Sequence, residues 1–269
     1  MLGILGGMGP LATAAFYRKL VERTPADADQ GHLPVVVWAD PGVPDRSAAL
    51  LGEGPSPLPA LVEGARGLRR AGASCIAVPC NTAHAYVEQV TRVTGVEVVD
   101  MIEAALGQAA HSARGVQRVG VLATRGTRAA GLYEQAGARL GLTVVQVPDE
   151  TQRAYVDPAI RAVKAGADMA GAARRIASAT GVLREQGAQV VVAACTEIPL
   201  VAGEAARVLP LVDSAEALVD RVLDLMWRPA REAFVPGSVP GFIPRYGNSR
   251  VISYPRTDAQ ERTGPNLRR

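Results

Sequence analysis

Leu68-Arg-Arg-Ala-Gly-Ala-Ser-Cys-Ile-Ala-Val-Pro-Cys80 aligns without a gap to Leu183-Arg-Glu-Gln-Gly-Ala-Gln-Val-Val-Val-Ala-Ala-Cys195, at an offset of 115 residues. Leu, Arg, Gly, Ala and the final Cys coincide, and the strand positions between them stay apolar. Each copy reads as a helix, a glycine-containing turn, a buried strand and then a cysteine at the carboxyl end of that strand. Near the start of each half, Leu2-Gly-Ile-Leu-Gly resembles Val119-Gly-Val-Leu-Ala at nearly the same offset. The chain is therefore an internal duplication, with one cysteine at the equivalent place in each half.

Around these copies, short apolar runs at 2–5, 35–38, 75–78, 96–99, 119–122, 143–147 and 190–193 alternate with helical patterns at 10–23, 56–71, 82–91, 101–113 and 167–186. Strands alternating with helices make parallel sheets from βαβ units, and near-continuous apolar strands fit sheets covered on both faces. The expected fold is α/β: two pseudo-symmetric parallel-sheet lobes of the flavodoxin-like or Rossmann-like type. Ligands of open α/β sheets bind beyond the carboxyl ends of the strands, so the active site is expected in the cleft between the lobes. Asp213 and Glu216 are spaced as a capping box for a helix running to about Trp227, expected to pack back on the first lobe. The boundaries that follow are 1–103 plus 210–228 for the first lobe, 104–209 for the second, and 229–269 for an irregular C-terminal tail.

Composition narrows the function. Hydrophobic residues at 48% and charged residues at 20% suit a water-soluble globular protein. No apolar run is long enough to span a bilayer, and Met1-Leu-Gly-Ile-Leu-Gly-Gly reads as a strand rather than a secretion signal. Three cysteines do not make a disulfide framework, so free thiols and a cytoplasmic location are expected. From residue 229 onward seven arginines face only Glu232, Asp258 and Glu261, which leaves the body of the +3 chain slightly acidic. No basic motif with interleaved aromatics occurs there, so neither nucleic acid nor a membrane is an expected partner.

Two thiols at equivalent strand ends suit one kind of reaction. Inverting a stereocentre requires a proton to leave one face of a carbon while another arrives on the opposite face, and cysteine serves as thiolate base or thiol acid. Cys80-Asn-Thr-Ala-His84 opens a helix after a strand, where unpaired N–H groups favour a thiolate, and Cys195-Thr-Glu-Ile198 repeats the arrangement. Asn81, Thr82 and the turn at Gly7-Met8-Gly9 are candidate donors to the developing negative charge. Cys75 lies within its strand and reads as core.

Gly6-Gly-Met-Gly-Pro10, Asp29-Gln-Gly-His32, Pro44-Asp-Arg46, Pro79-Cys-Asn-Thr-Ala-His84 and Cys195-Thr-Glu-Ile198 resemble the aspartate/glutamate racemase family, over roughly residues 1–228. The resemblance implies racemisation of a small amino-acid substrate without pyridoxal phosphate or any other cofactor or metal, with Cys80 and Cys195 as the catalytic pair. It implies substrate binding by Met8, Arg46, Asn81, Thr82, Thr196 and Lys164, the arginine and lysine receiving carboxylates. Glutamate racemases resemble Cys-Thr-His at the second motif; Glu197 stands here, which favours the aspartate-type or broad-specificity branch. His84 and Glu197 are expected behind the first rank of residues. His84 reads either as an electrostatic partner of Cys80 or as a helix-capping histidine, and Glu197 either as orienting the second thiol or as a cap. A homodimer is the default assembly.

Rival readings fare less well on the residues. Gly7-x-Gly9-x-x-Ala12 matches a loose dinucleotide fingerprint, but Pro10 sits inside its turn and the acidic Asp27 and Asp29 lie in a polar loop. Cys80, His84 and Cys195 lack a fourth metal ligand, and neither cysteine lies in a C-x-x-C motif. A non-catalytic two-lobed binding protein would need neither thiol. Hydantoin racemases, decarboxylases and maleate-type isomerases are the alternatives within enzymes.

Overall fold

The computed structural model describes residues 1–227; the expected tail at 229–269 lies outside them. Two four-stranded sheets, every strand parallel, form the frame. The first has the order β2-β1-β3-β4, from β1 (Leu2–Gly6), β2 (Val35–Ala39), β3 (Cys75–Ala77) and β4 (Glu97–Val98). The second has the order β6-β5-β7-β8, from β5 (Arg118–Ala123), β6 (Thr143–Gln146), β7 (Val190–Ala194) and β8 (Leu211–Asp213). Leu2 pairs with Cys75 in the first sheet and Val119 with Val190 in the second. These are the positions that the sequence repeat equates, so the ladder reproduces the alignment residue for residue.

Helices α1 (Pro10–Arg23), α2 (Arg46–Leu50), α3 (Leu58–Arg70), α4 (Val87–Thr94) and α5 (Met101–His111) lie in the first half. The second half carries α6 (Arg125–Ala129), α7 (Leu132–Arg139), α8 (Asp149–Thr151), α9 (Asp157–Lys164) and α10 (Met169–Glu185), and α11 (Ser214–Met226) closes the described chain. Pro10 opens α1, where its missing N–H costs nothing, and Phe16 and Leu20 fall on the buried face one turn apart. They meet Leu2 and Ile4 of β1 and Leu218, Val219 and Val222 of α11. Each such buried side chain contributes about 1.5–3 kcal/mol of transfer free energy. This core is what returns α11 to the first half, as expected.

Three expectations change. β8 pairs with β7 through Val192↔Val212, so the chain rejoins the first half at Ser214, not at residue 210. A three-residue strand ahead of a capped helix is too short to show a period in sequence. Likewise α5 buries Ile102, Ala105, Leu106 and Ala109 among Val119, Val121, Val190 and Val192, so the second core begins at Ile102 rather than at 104, while Met101 still packs in the first. Finally, the capping box is only half made: the Asp213 carboxylate accepts from Ala215 N (2.8 Å), but the Glu216 carboxylate goes to Lys19 of α1. Strand β2 is an edge with Val37 and Trp38 exposed, unlike β1 and β7, which are buried throughout.

Candidate active site

The loops after β1, β3, β5 and β7 converge at the carboxyl ends of both sheets. Gly7 takes φ +89°, and a side chain there would strike the Asp40 backbone at 2.4 Å, so only glycine makes this turn. Between the loops lies one small cavity of about 20 Å³. Cys80 and Cys195 both line it, one from each half, and both are buried. Met8, Arg46, Asn81, Thr82, Lys164, Thr196 and Glu197 also line it, together with Asp45, Ser47 and Thr124, which the sequence reading missed. Thr124 follows β5 as Gly7 follows β1, so the repeat contained the signal for it. Asp45 and Ser47 flank Arg46 and carried no separate signal.

Arg46 begins α2, and its guanidinium is anchored by its own loop. Its terminal nitrogens donate to the carbonyls of Val43 (3.2 Å), Pro44 (3.2 Å) and Met8 (3.1 Å). Its Nε is buried and has no partner among the described residues. A buried donor without an acceptor is costly, and an arginine edge so held matches one side of a carboxylate. Lys164, the last residue of α9, also lines the cavity. Burial pulls the Asp45 carboxyl upward, but its hydrogen bond from Ala48 N–H and the charges of Arg46 and Lys164 leave it below the usual range.

The two thiols differ in surroundings. Cys195 Sγ lies 2.9 Å from Glu197 Oε2, and both groups are buried. Burial first, then the Glu197 charge and hydrogen bond, push the Cys195 thiol well above its ordinary value despite the opposing Lys164. The expected thiolate is thus reversed here: Cys195 is an S–H that donates to a carboxylate. The helix expected to lower its pKa is only a 3₁₀ turn, Ile198–Val201. After Cys80 the chain likewise forms a 3₁₀ turn, Thr82–Tyr86, before α4. Glu197 Oε1 also reaches the β1–α1 turn, 3.5 Å from where a Gly9 Cβ would stand. Exchanging Glu197 for glutamine removes the negative neighbour, so the Cys195 thiol is expected to ionise at lower pH. In a Cys75→Ser, Cys80→Ser background the ultraviolet thiolate titration reads this directly; an unmoved midpoint would contradict the assignment.

His84 does not face the Cys80 sulfur. Its Nε2 accepts from Met101 N–H (3.1 Å), so Nδ1 carries the proton and donates to the Cys80 carbonyl (3.0 Å). Burial lowers its pKa despite the Cys80 hydrogen bond, which keeps the ring neutral. It therefore braces the Cys80 loop against α5, in line with the structural of its two readings. The expected donors are also partly engaged. Gly7 N–H is bound by Thr13 Oγ1 (2.9 Å), and Thr82 Oγ1 joins Thr124 and Thr127 at 2.9 Å each in a hydroxyl cluster between the halves. Cys75 packs against the first core, half-buried in β3. No cluster of three or more His, Cys, Asp or Glu suited to a metal ion occurs among the described residues, and no helix there is long and apolar enough to cross a membrane.

Comparison with known proteins agrees with this architecture. The family model described as Asp/Glu/Hydantoin racemase matches residues 5–222. The broad specificity amino-acid racemase RacX of Bacillus subtilis is 28% identical over 227 residues, spanning 81% of this chain and 94% of that protein. The aspartate racemase of Picrophilus torridus superposes with a TM-score of 0.71 at 29% identity, covering 86% of this chain and 96% of its own. The glutamate racemase isoform RacE1 of Bacillus anthracis, at 19% identity and a TM-score of 0.62 over 84% and 80% of the two chains, shares the two-lobed fold. A match across both halves, including both cysteine motifs, places this chain in the Asp/Glu/hydantoin racemase family.

Proposed function

We propose that the chain racemises an acidic amino acid, aspartate first and glutamate second, with Cys80 and Cys195 as the acid–base pair and no cofactor. The observation that carries this reading is the pair of repeat-related cysteines on one cavity, beside an arginine with a buried unpartnered donor. In one direction the Cys80 thiolate takes the Cα proton, and the Cys195 S–H delivers its own proton to the opposite face. Cys80 then holds the proton and Cys195 is the thiolate, the state that takes the other enantiomer back. Arg46 and Lys164 suit the two carboxylates of a dicarboxylate, while Thr196 and the free amide hydrogen of Asn81 face the developing negative charge.

The cavity of about 20 Å³ has room for about one water molecule, so aspartate enters only when the halves part. Ser47 of α2, which lines the cavity, meets Gly126 of α6, where a Cβ on Gly126 would lie 2.5 Å from Ser47 Cα. Closure of that contact over bound substrate would expel water and strengthen every charge interaction inside. All three cysteines are free thiols, in keeping with a reducing cytoplasmic compartment. The exposed Tyr17, Val21, Val37 and Trp38 on α1 and β2 suit self-association as a homodimer.

Incubating L- or D-aspartate with the protein in D₂O is expected to place deuterium at Cα and to form the other enantiomer without any added cofactor. Proton NMR and chiral chromatography read the two outcomes. Similarity to a broad-specificity racemase makes glutamate and neutral amino acids the next substrates to screen. Binding without exchange for all of them would leave a ligand-binding protein as the better reading.

A further inference from the structure

A chain of buried hydrogen bonds runs between the two cysteine motifs and through none of the residues assigned to substrate except Asn81. Tyr133 of α7 lies 2.6 Å from Asn81 Oδ1, Asn81 Nδ2 lies 3.0 Å from Ser214 Oγ, and Ser214 Oγ lies 2.7 Å from the carbonyl oxygen of Ala193. Exposure of Tyr133, Asn81 and Ser214 is 1%, 2% and 0%, so no water competes for these groups. The direction is forced. A carbonyl only accepts, so Ser214 donates to Ala193; Ser214 then accepts from the Asn81 amide, whose oxygen must accept from Tyr133. Burial holds the Tyr133 phenol well above its usual range, which keeps its proton in place.

The ends of this chain matter. Asn81 is bonded to Cys80, whereas Ala193 lies in β7 two residues before Cys195. Tyr133 and Ala193 belong to the second half, Asn81 to the first, and Ser214 opens α11, which returns the chain to the first half. We propose that Tyr133 is a positioning residue: acting through Asn81 and Ser214, it fixes the Cys80 loop against the strand that carries Cys195, and so sets the spacing of the two thiols about the substrate carbon. This inference rests on the racemase reading above.

Misplacement of a reacting group by about 1 Å costs on the order of 10²-fold in rate. Tyr133→Phe and Ser214→Ala are each expected to lower kcat by about 10- to 10²-fold on that scale, with KM for aspartate within about twofold of wild type. The double variant is expected to lose less than the product of the two effects, because both act through one amide. A second readout concerns symmetry. Each thiol takes the proton from one enantiomer only. Displacing the Cys80 side should therefore raise the primary isotope effect with Cα-deuterated aspartate of one configuration and lower it with the other. Unchanged kcat and isotope effects in folded variants would overturn the proposal. So would a fall in kcat with multiplicative losses and isotope effects equal to wild type, since that marks a role in folding alone. Absence of Cα exchange in the wild type would instead remove the racemase reading on which it stands.

Discussion

Cys80→Ser and Cys195→Ser are each expected to stop racemisation of aspartate, with kcat lowered by about 10²–10⁴-fold, the range that one positioned acid or base supplies. Serine keeps the shape of the side chain but not an ionisable group near neutral pH. The two variants should nevertheless differ. With Cys195 replaced, Cys80 still exchanges the Cα proton of one enantiomer with D₂O and returns deuterium to the same face, without inversion. With Cys80 replaced, the opposite enantiomer exchanges. Incubating each pure enantiomer with each variant, followed by NMR and chiral chromatography, tests this crossing pattern. Exchange of the same enantiomer in both variants would mean a single base, and full activity in either would remove that cysteine from the reaction. Burial and the hydrogen bond to Glu197 favour the protonated form of Cys195, so on the proposed reading the acid role in the resting state is expected to fall to it.

Arg46→Ala is the second large effect expected. Truncating one partner of a buried, hydrogen-bonded charge pair costs about 2–5 kcal/mol; about 3 kcal/mol corresponds to roughly 10²-fold in kcat/KM. Arg46→Lys should recover little, because lysine keeps the charge but loses the planar fork and the three carbonyl contacts that orient it. Comparing aspartate with alanine separates the two carboxylates. A loss confined to aspartate puts Arg46 on the side-chain carboxylate, while an equal loss for both puts it on the α-carboxylate. An unchanged kcat/KM for both substrates would exclude a direct contact.

Much of this molecule was legible in its sequence, and the reason is the repeat. The offset between Cys80 and Cys195 fixed two equivalent strand ends, and the observed ladder pairs Leu2 with Cys75 and Val119 with Val190 as the alignment requires. Long periodic segments such as α1 and α10 were read to within two residues at each end, because their apolar spacing alone determines which face is buried. Shorter pieces were not. α6, α7 and β8 are too brief to show a period, and their place depends on the sheet they complete.

The residues that tune the site were hidden for a related reason. Tyr133 lies 52 positions from the amide it binds, and Ser214 lies 133 positions from the same residue. Nothing in the neighbourhood of either foretells the meeting. The sequence by itself determined the two-lobed frame and the cysteine pair, since duplication and strand-end position are local and repeated features, while Arg46 was legible only through the Pro44-Asp-Arg46 motif and the family it resembles. Only the tertiary structure decided that Cys195 rests as a thiol, that Asn81 is tied between two hydroxyls, and that β8 completes the second sheet. Protonation and hydrogen-bond direction depend on burial and on partners brought from distant segments, and folding alone supplies both.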